Sequence, residues 1–410
     1  MVWSCVAVAA FGSSARAADC GGGKPCRCGD RVVDDYALTE DLGPCPGDGL
    51  RVASRVVLDG AGHEISGTGG KTVGVQLNPG ASGSKVLRLT VRGFERGIRL
   101  NGAQQVELTD VTAAHNGDFR ARVGYGIDVA AGASGNRIER AKIHDNADEG
   151  IHFGKSARAN RLTDSEVYDN GRENVYVLDG FENAIEGCTL RGGGNAAAYV
   201  KHAKGTVLAR NRIFDRPIVV RGAARGTRLV DDAFSGAGLV VQPYADKQLG
   251  ATIPADTVVR GGSVEGADVC IRIDEARDTT LDGVRLDCDT ALVVAGGSAV
   301  SVVDTALGKV RCAGPGEVRD VARVDVSFVD PDGAPARDVR LASGDRELGK
   351  ADAAGRFEGD VARSVRACPR LEPRPAPSVR VTSGDVSRTF EPSELHGTIA
   401  LGEAGGAAGR

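Results

Sequence analysis

The sequence predicts an all-β chain wound as a parallel β-solenoid, and three observations carry that expectation. A four-residue unit recurs as GIDV at 126–129, GIHF at 150–153, NVYV at 174–177 and AAYV at 197–200, with starts 24, 24 and 23 residues apart. No window shows a sustained helical period of apolar residues. Glycine is abundant, at 58 of 410 residues, while aromatics make up only 4%. That composition suits thin, regular layers of small and β-branched residues better than a bulky α/β core.

The unit extends both ways, as GVQL at 74, GIRL at 97, PIVV at 217, GLVV at 238, DVCI at 268 and ALVV at 291. Two intervals, 97 to 126 and 238 to 268, are longer than the rest. Each repeat also holds two short apolar pieces and a polar turn, as in NRIERAKIHDN (136–146) and NRLTDSEVYDN (160–170). One such repeat cannot bury its apolar face alone, so stacking must close the core. Neighbouring strands then lie about 4.8 Å apart. Asn116, Asn146 and Asn170 fall at the same turn and are expected to stack as an amide ladder that satisfies turn backbone.

The expected organisation is a signal peptide over 1–17, a Cys-rich N-terminal cap over 18–50, a solenoid over 51–314, a β-sandwich accessory domain over 320–402 and a disordered tail over 403–410. The opening MVWSCVAVAAFGSSARAADC has an apolar run before Ala15-Arg16-Ala17, a small-residue cleavage signature. The run is too short for an anchor, and no later segment reads as a membrane span. The expectation is therefore a monomer that is secreted, periplasmic or held at the cell surface. In an exported chain, clustered cysteines read as disulfides in preference to zinc ligands. Proximity suggests Cys20 with Cys26 and Cys28 with Cys45, neighbouring repeats suggest Cys270 with Cys288, and Cys312 with Cys368 would tie the C-terminal domain to the solenoid. Cys188 should point inward as an inert thiol.

The repeat, with its GIDV and GIHF units and its HDN and YDN turns, resembles the right-handed parallel β-helix proteins of the pectate-lyase-like superfamily over about residues 50–312. The segment CGDRVVDDYALTEDLGPCPGDGLRV (28–52) looks like the opening of secreted bacterial members, where it would cap the solenoid end. After residue 314 the turns DPDGAP and DAAGRF resemble a carboxypeptidase-regulatory-like β-sandwich. The superfamily resemblance implies action on extracellular polysaccharide. The DPHD-type motif of alginate epimerases and the paired aspartates of polygalacturonases are absent, with HDN at 144–146 a distant echo of the first.

Within each G-I-x-V unit the apolar positions face the core, so the third residue faces outward. That outward column reads Gln76, Arg99, Asp128, His152, Tyr176, Tyr199, Val219, Val240. Four of six histidines and four of six tyrosines lie between residues 115 and 202. The long repeat places GDFRARVGY (117–125) just before Asp128, and this loop is expected to overhang the same face. A second outward column, with His144 and Tyr168 beside turn residues His115, Asp145, Asp169 and Asp215, reads as a solvated flank.

Acids, bases and phenols at one-coil intervals suit β-elimination from an acidic polysaccharide. A cation offsets the uronate carboxylate, a base removes the adjacent proton, and an acid protonates the leaving oxygen. His152 is the candidate base, Tyr176 or Tyr199 the acid, and Asp128 orients His152. Arg99, Arg122, Arg172, Lys201 and His202 are the candidate substrate-binding residues. Ca²⁺ held by Asp128 and Glu149 is the one cofactor considered.

The main alternative is a non-catalytic carbohydrate-binding or structural solenoid. Lesser ones are a glycoside hydrolase using Asp128 and Glu149, with Asp148 in reserve, and a copper-associated periplasmic protein. A net charge of −4 with mixed signs offers no broad basic field for nucleic acid. Trp3 leaves with the signal segment, so tyrosine must supply any aromatic platform.

Overall fold

The computed structural model describes residues 17–130, 132–246 and 250–402. The expected tail at 403–410, and all of the signal segment except residue 17, lie outside the described residues. From residue 19 onward the chain coils, and successive coils lay strands in three sheets of 14, 16 and 11 strands, the second of which also takes in strands of the C-terminal unit. The pairing between coils is parallel and residue-for-residue, as in Ile127 with Ile151 and Ile151 with Val175. Inward positions stack Ile, Val, Leu and Ala into one continuous core, with Phe94 and Phe153 as its bulkiest members.

Polar side chains hold the corners. Between the 11- and 14-stranded sheets, Asn116 Nδ2 donates to Asn146 Oδ1 (3.0 Å) and Asn146 Nδ2 to Asn170 Oδ1 (2.9 Å). Asn170 Nδ2 in turn donates to Asn174 Oδ1 (2.9 Å), where the row ends. The same amides donate to backbone carbonyls, so buried turn groups find partners. A second row, Asn136–Asn160–Asn183, serves the next corner.

The ladder explains the first residue of the repeated unit. A Cβ on Gly126 would lie 2.6 Å from Asn146 Nδ2, and one on Gly150 would lie 2.5 Å from Asn170 Nδ2. Glycine is required where the amide row passes. Where the row stops, the unit begins with Asn174 instead, whose side chain closes it.

Disulfides join Cys20 to Cys26, Cys28 to Cys45, Cys270 to Cys288 and Cys312 to Cys368. Cys188 is buried and free, and burial pushes its thiol up to about 12. Strand Gly316–Val329 belongs first to the 16-stranded sheet and then runs on beyond the coils. Beyond the coils it packs with a four-stranded antiparallel sheet around a separate core of Val326, Phe328, Leu341, Phe357 and Val381. Two sheets sharing one core make this unit a β-sandwich.

At the third corner Asn211 donates through both its backbone N (2.8 Å) and Nδ2 (2.9 Å) to Asp232 Oδ1. Asp232 is buried, and its Oδ2 has no partner among the described residues. Burial pushes this carboxyl up to about 7. Between about pH 4, the unfolded value, and about pH 7, the folded chain holds a proton that the unfolded chain has lost. This group's contribution therefore falls as pH rises through that window. Asp232→Asn should flatten the fall and stabilise the protein at about pH 8 by on the order of 2–4 kcal/mol, with little effect near about pH 4. Urea unfolding at the two pH values measures this, and equal effects at both would contradict it.

Candidate functional site

The register of the 14-stranded sheet assembles the outward column as the spacing predicts. Gln76 pairs with Arg99, Arg99 with Asp128, Asp128 with His152, His152 with Tyr176, Tyr176 with Tyr199, and Tyr199 with Val219. The amide ladder lies at the corner immediately before these strands, so the column stands on a densely hydrogen-bonded edge of the coil.

Asp128 and His152 form a dyad at its centre. His152 Nδ1 lies 3.2 Å from Asp128 Oδ1. Asp128 Oδ2 faces Arg96 Nε (3.2 Å) and Arg99 Nε (3.3 Å). The Asp128 side chain is only 5% exposed, with the two guanidinium groups and the imidazole around it. A carboxylate oxygen facing Nδ1 favours the tautomer with the imidazole proton on Nδ1. His152 Nε2 is then the nitrogen left to meet a ligand. The ring is held between Tyr125 (centroids 5.0 Å, 28° between planes) and Tyr176 (5.6 Å, 25°). Gly154 makes room for it, since a Cβ there would sit 3.0 Å from His152 Cε1. Burial raises the phenols of Tyr125, to about 12, and of Tyr176, so both remain protonated donors at ordinary pH.

Beside the dyad lies a buried acidic cluster bridged by one arginine. Arg172 Nη1 lies 3.2 Å from Asp148 Oδ1 and 3.5 Å from Glu149 Oε1, and its Nε lies 3.6 Å from Glu173 Oε2. Burial, then the charges of Asp148 and Glu173, push Glu149 up to about 8; burial also raises Asp148. Arg172, a candidate for substrate binding, is thus committed to three carboxyl groups. Arg99 is likewise committed to Asp128.

Further along, the column opens into a cleft of about 390 Å³ lined by Arg172, Glu173, Tyr176, Asn195, Tyr199, Lys201, Arg221 and Tyr244. Tyr199 stands edge-on to Tyr176 (5.4 Å, 75°), and its hydroxyl accepts a hydrogen bond from Arg221 Nη1 (2.9 Å). Lys201 lies over the Tyr244 ring at 3.6 Å. Tyr244 arrives on an antiparallel hairpin, Tyr244–Asp246 with Gly250–Thr252, which accounts for the second long interval in the repeat. His202 sits at the turn after Lys201, where its Nδ1 accepts from the Ala223 backbone N (2.9 Å), and its ring meets Tyr244 edge-on.

The 117–125 loop departs from its expected course. It closes with an Asp118–Val123 bridge and packs back toward Gly69, Lys71, Phe94 and Glu95 in preceding coils. Only Tyr125, at its end, reaches the dyad. Gly117 and Gly124 meet nearly in contact, which pulls the loop toward the corner. Arg122 is exposed near its tip with φ at 51°. On the second outward column, His144 stacks on Tyr168 (4.6 Å, 2°) and Arg191 covers that tyrosine's ring (4.0 Å). Turn residues His115, Asp145, Asp169 and Asp215 all have φ between 51° and 64°. Asp tolerates this left-handed corner, so the aspartates there follow from the coil.

The donor set does not fit the expected Ca²⁺ site. Asp128 turns its oxygens to two arginines and a histidine, and Glu149 shares Arg172 with two other acids. Arginine already supplies the positive charge that such carboxylates would seek in a cation. Among the described residues, no group of three or more His, Cys, Asp or Glu converges to hold a metal ion.

Residues 129–231 match a protein-family model described as the right handed beta helix region. The fold is a right-handed parallel β-helix. Solved structures similar to it include a mutant of the periplasmic alginate epimerase AlgG, at 12% identity and TM-score 0.46, covering 60% of this chain and 76% of that one. The Dettilon tailspike protein is similar at 12% identity and TM-score 0.45, covering 88% and 72%. The A-module of an Azotobacter vinelandii mannuronan C-5 epimerase is similar at 18% identity and TM-score 0.41, covering 67% and 79%. Comparison with curated proteins finds no match. Among the described residues no helix is long and apolar enough to cross a membrane.

Column position alone does not reveal Arg96, Glu173, Asn195, Arg221 or Tyr244. The second long repeat interval is the available signal for Tyr244. The dyad also carries a stability consequence. Asp128→Asn should destabilise the β-helix by about 1–3 kcal/mol, because Arg96 and Arg99 lose their shared counter-charge in a half-buried site. Urea unfolding of this variant checks it, and an unchanged midpoint would show that water solvates both arginines.

Proposed function

We propose that the protein is exported and engages an acidic polysaccharide along the 14-stranded face, cleaving it by β-elimination with His152 as the base. The observation that carries this reading is the Asp128–His152 dyad, set between two protonated phenols on the outward face of a rigid sheet. Asp128 fixes the imidazole so that Nε2 accepts the proton adjacent to the uronate carboxylate. The phenol of Tyr176 or Tyr199 then donates a proton to the leaving glycosidic oxygen. Tyr199 suits that role because its oxygen already accepts from Arg221, which leaves its own proton to give. Four disulfides favour an oxidising compartment, in keeping with export.

Hydrolysis fits less well. It needs one carboxyl on each side of the scissile bond, yet Asp128, Asp148 and Glu149 are all buried beneath arginine or backbone. The dyad instead offers a base with its own orienting partner.

Absorbance of unsaturated products released from a panel of polyuronates tests the elimination step. Wild type should release them, and His152→Ala should slow release by roughly 100-fold or more while keeping its melting temperature. Binding without any product, or equal rates in the two proteins, would overturn the elimination reading. The first result would leave a binding solenoid.

A further inference from the structure

We infer that Lys201, Arg221 and Tyr244 form an anion cradle that receives a carboxylate or sulfate ester of the glycan, on the second and third strands beyond that of His152. This rests on reading the sheet as a polysaccharide site, and it assigns the recognition of the acidic group to particular residues. Lys201 and Arg221 are register partners on adjacent strands. Like charges directly opposite one another on a sheet repel. Elsewhere on this face such charge is answered, since Arg96 and Arg99 share Asp128 and Arg172 meets three acids. Among the described residues, neither Lys201 nor Arg221 has a carboxylate partner. Their shared neighbour is the Tyr244 ring, 3.6 Å from Lys201 Nζ and 4.8 Å from Arg221 Cζ.

The geometry is fixed in advance. Arg221 Nε donates to Pro243 O (3.0 Å) and Nη1 to the Tyr199 hydroxyl, which holds the guanidinium in place. The hairpin carrying Tyr244 forms the wall. At the opposite side of the same cleft lies Glu173, 3% exposed, with Asn195 Nδ2 donating to its Oε1 (3.1 Å). Its Oε2 is buried and faces Arg172 Nε at 3.6 Å, so this side of the cleft is already charge-paired. Two cations that share a ring in place of a carboxylate call for a ligand with an anionic group. An acidic sugar supplies one. An anion between Lys201 and Arg221 would also relieve their mutual repulsion.

The experiment compares oligogalacturonate with its methyl ester in isothermal titration at low salt, using His152→Ala so that cleavage does not intervene. The free acid should bind at least roughly tenfold tighter than the ester, the scale of one charge-assisted hydrogen bond. Lys201→Gln and Arg221→Gln should each remove most of that difference and spare ester binding, with melting temperatures confirming the fold. Competition by sulfated dextran would identify a site that accepts sulfate; competition by oligouronate alone would identify a carboxylate site. If the variants bind the acid as the parent does, the cradle is wrong, while glycan binding itself still supports the polysaccharide reading. If the parent binds neither acid nor ester, that reading falls and takes the cradle with it.

Discussion

The strict coil-to-coil register is the constraint on which the rest of this molecule depends. A parallel stack slipped by one residue would turn every inward side chain outward. Here the buried rows of asparagine resist slipping, because each amide bonds both the next amide and a backbone carbonyl. The row beside the 14-stranded sheet also dictates glycine at 97, 126 and 150, since any Cβ would strike an amide. The same strands then carry a column whose members cannot drift relative to one another. Function on this face needs no movable loop to bring Asp128, His152 and Tyr176 together, because the ladder has already done so.

Charge is distributed unevenly along that column. At its start, arginines and acids neutralise each other in a half-buried network, and Asp128 is spent on orienting His152. In the middle, Arg172 serves three carboxyl groups. At the far end, Lys201 and Arg221 face an aromatic ring in place of an acid. A ligand with negative charge would therefore settle toward the far end and present its backbone to the dyad. The tyrosine and histidine faces are occupied by each other, so recognition would use ring edges and hydroxyls more than broad stacking.

The solenoid, its column and the disulfides are legible in the sequence because each depends on spacing. A 24-residue interval between GIDV and GIHF leaves little choice about which residues pair. Features that depend on side chains reaching between coils are not legible. Asp128 reads as an outward acid, but Arg96 and Arg99 fold over it. The 117–125 insertion reads as an overhang, but the Gly117–Gly124 approach ties it to the corner. Tyr244 lies outside the repeated unit and joins the site only because a hairpin turns it back. Arg221 reads as an ordinary flank residue, and only its register partner and its ring neighbour together single it out.

The most direct test of a polysaccharide site on this face is a crystal structure of the His152→Ala protein soaked with an oligouronate. Sugar density should run along the 14-stranded face, with an acidic group between Lys201 and Arg221 and a glycosidic bond beside residue 152. Density on either of the other two sheets would contradict it.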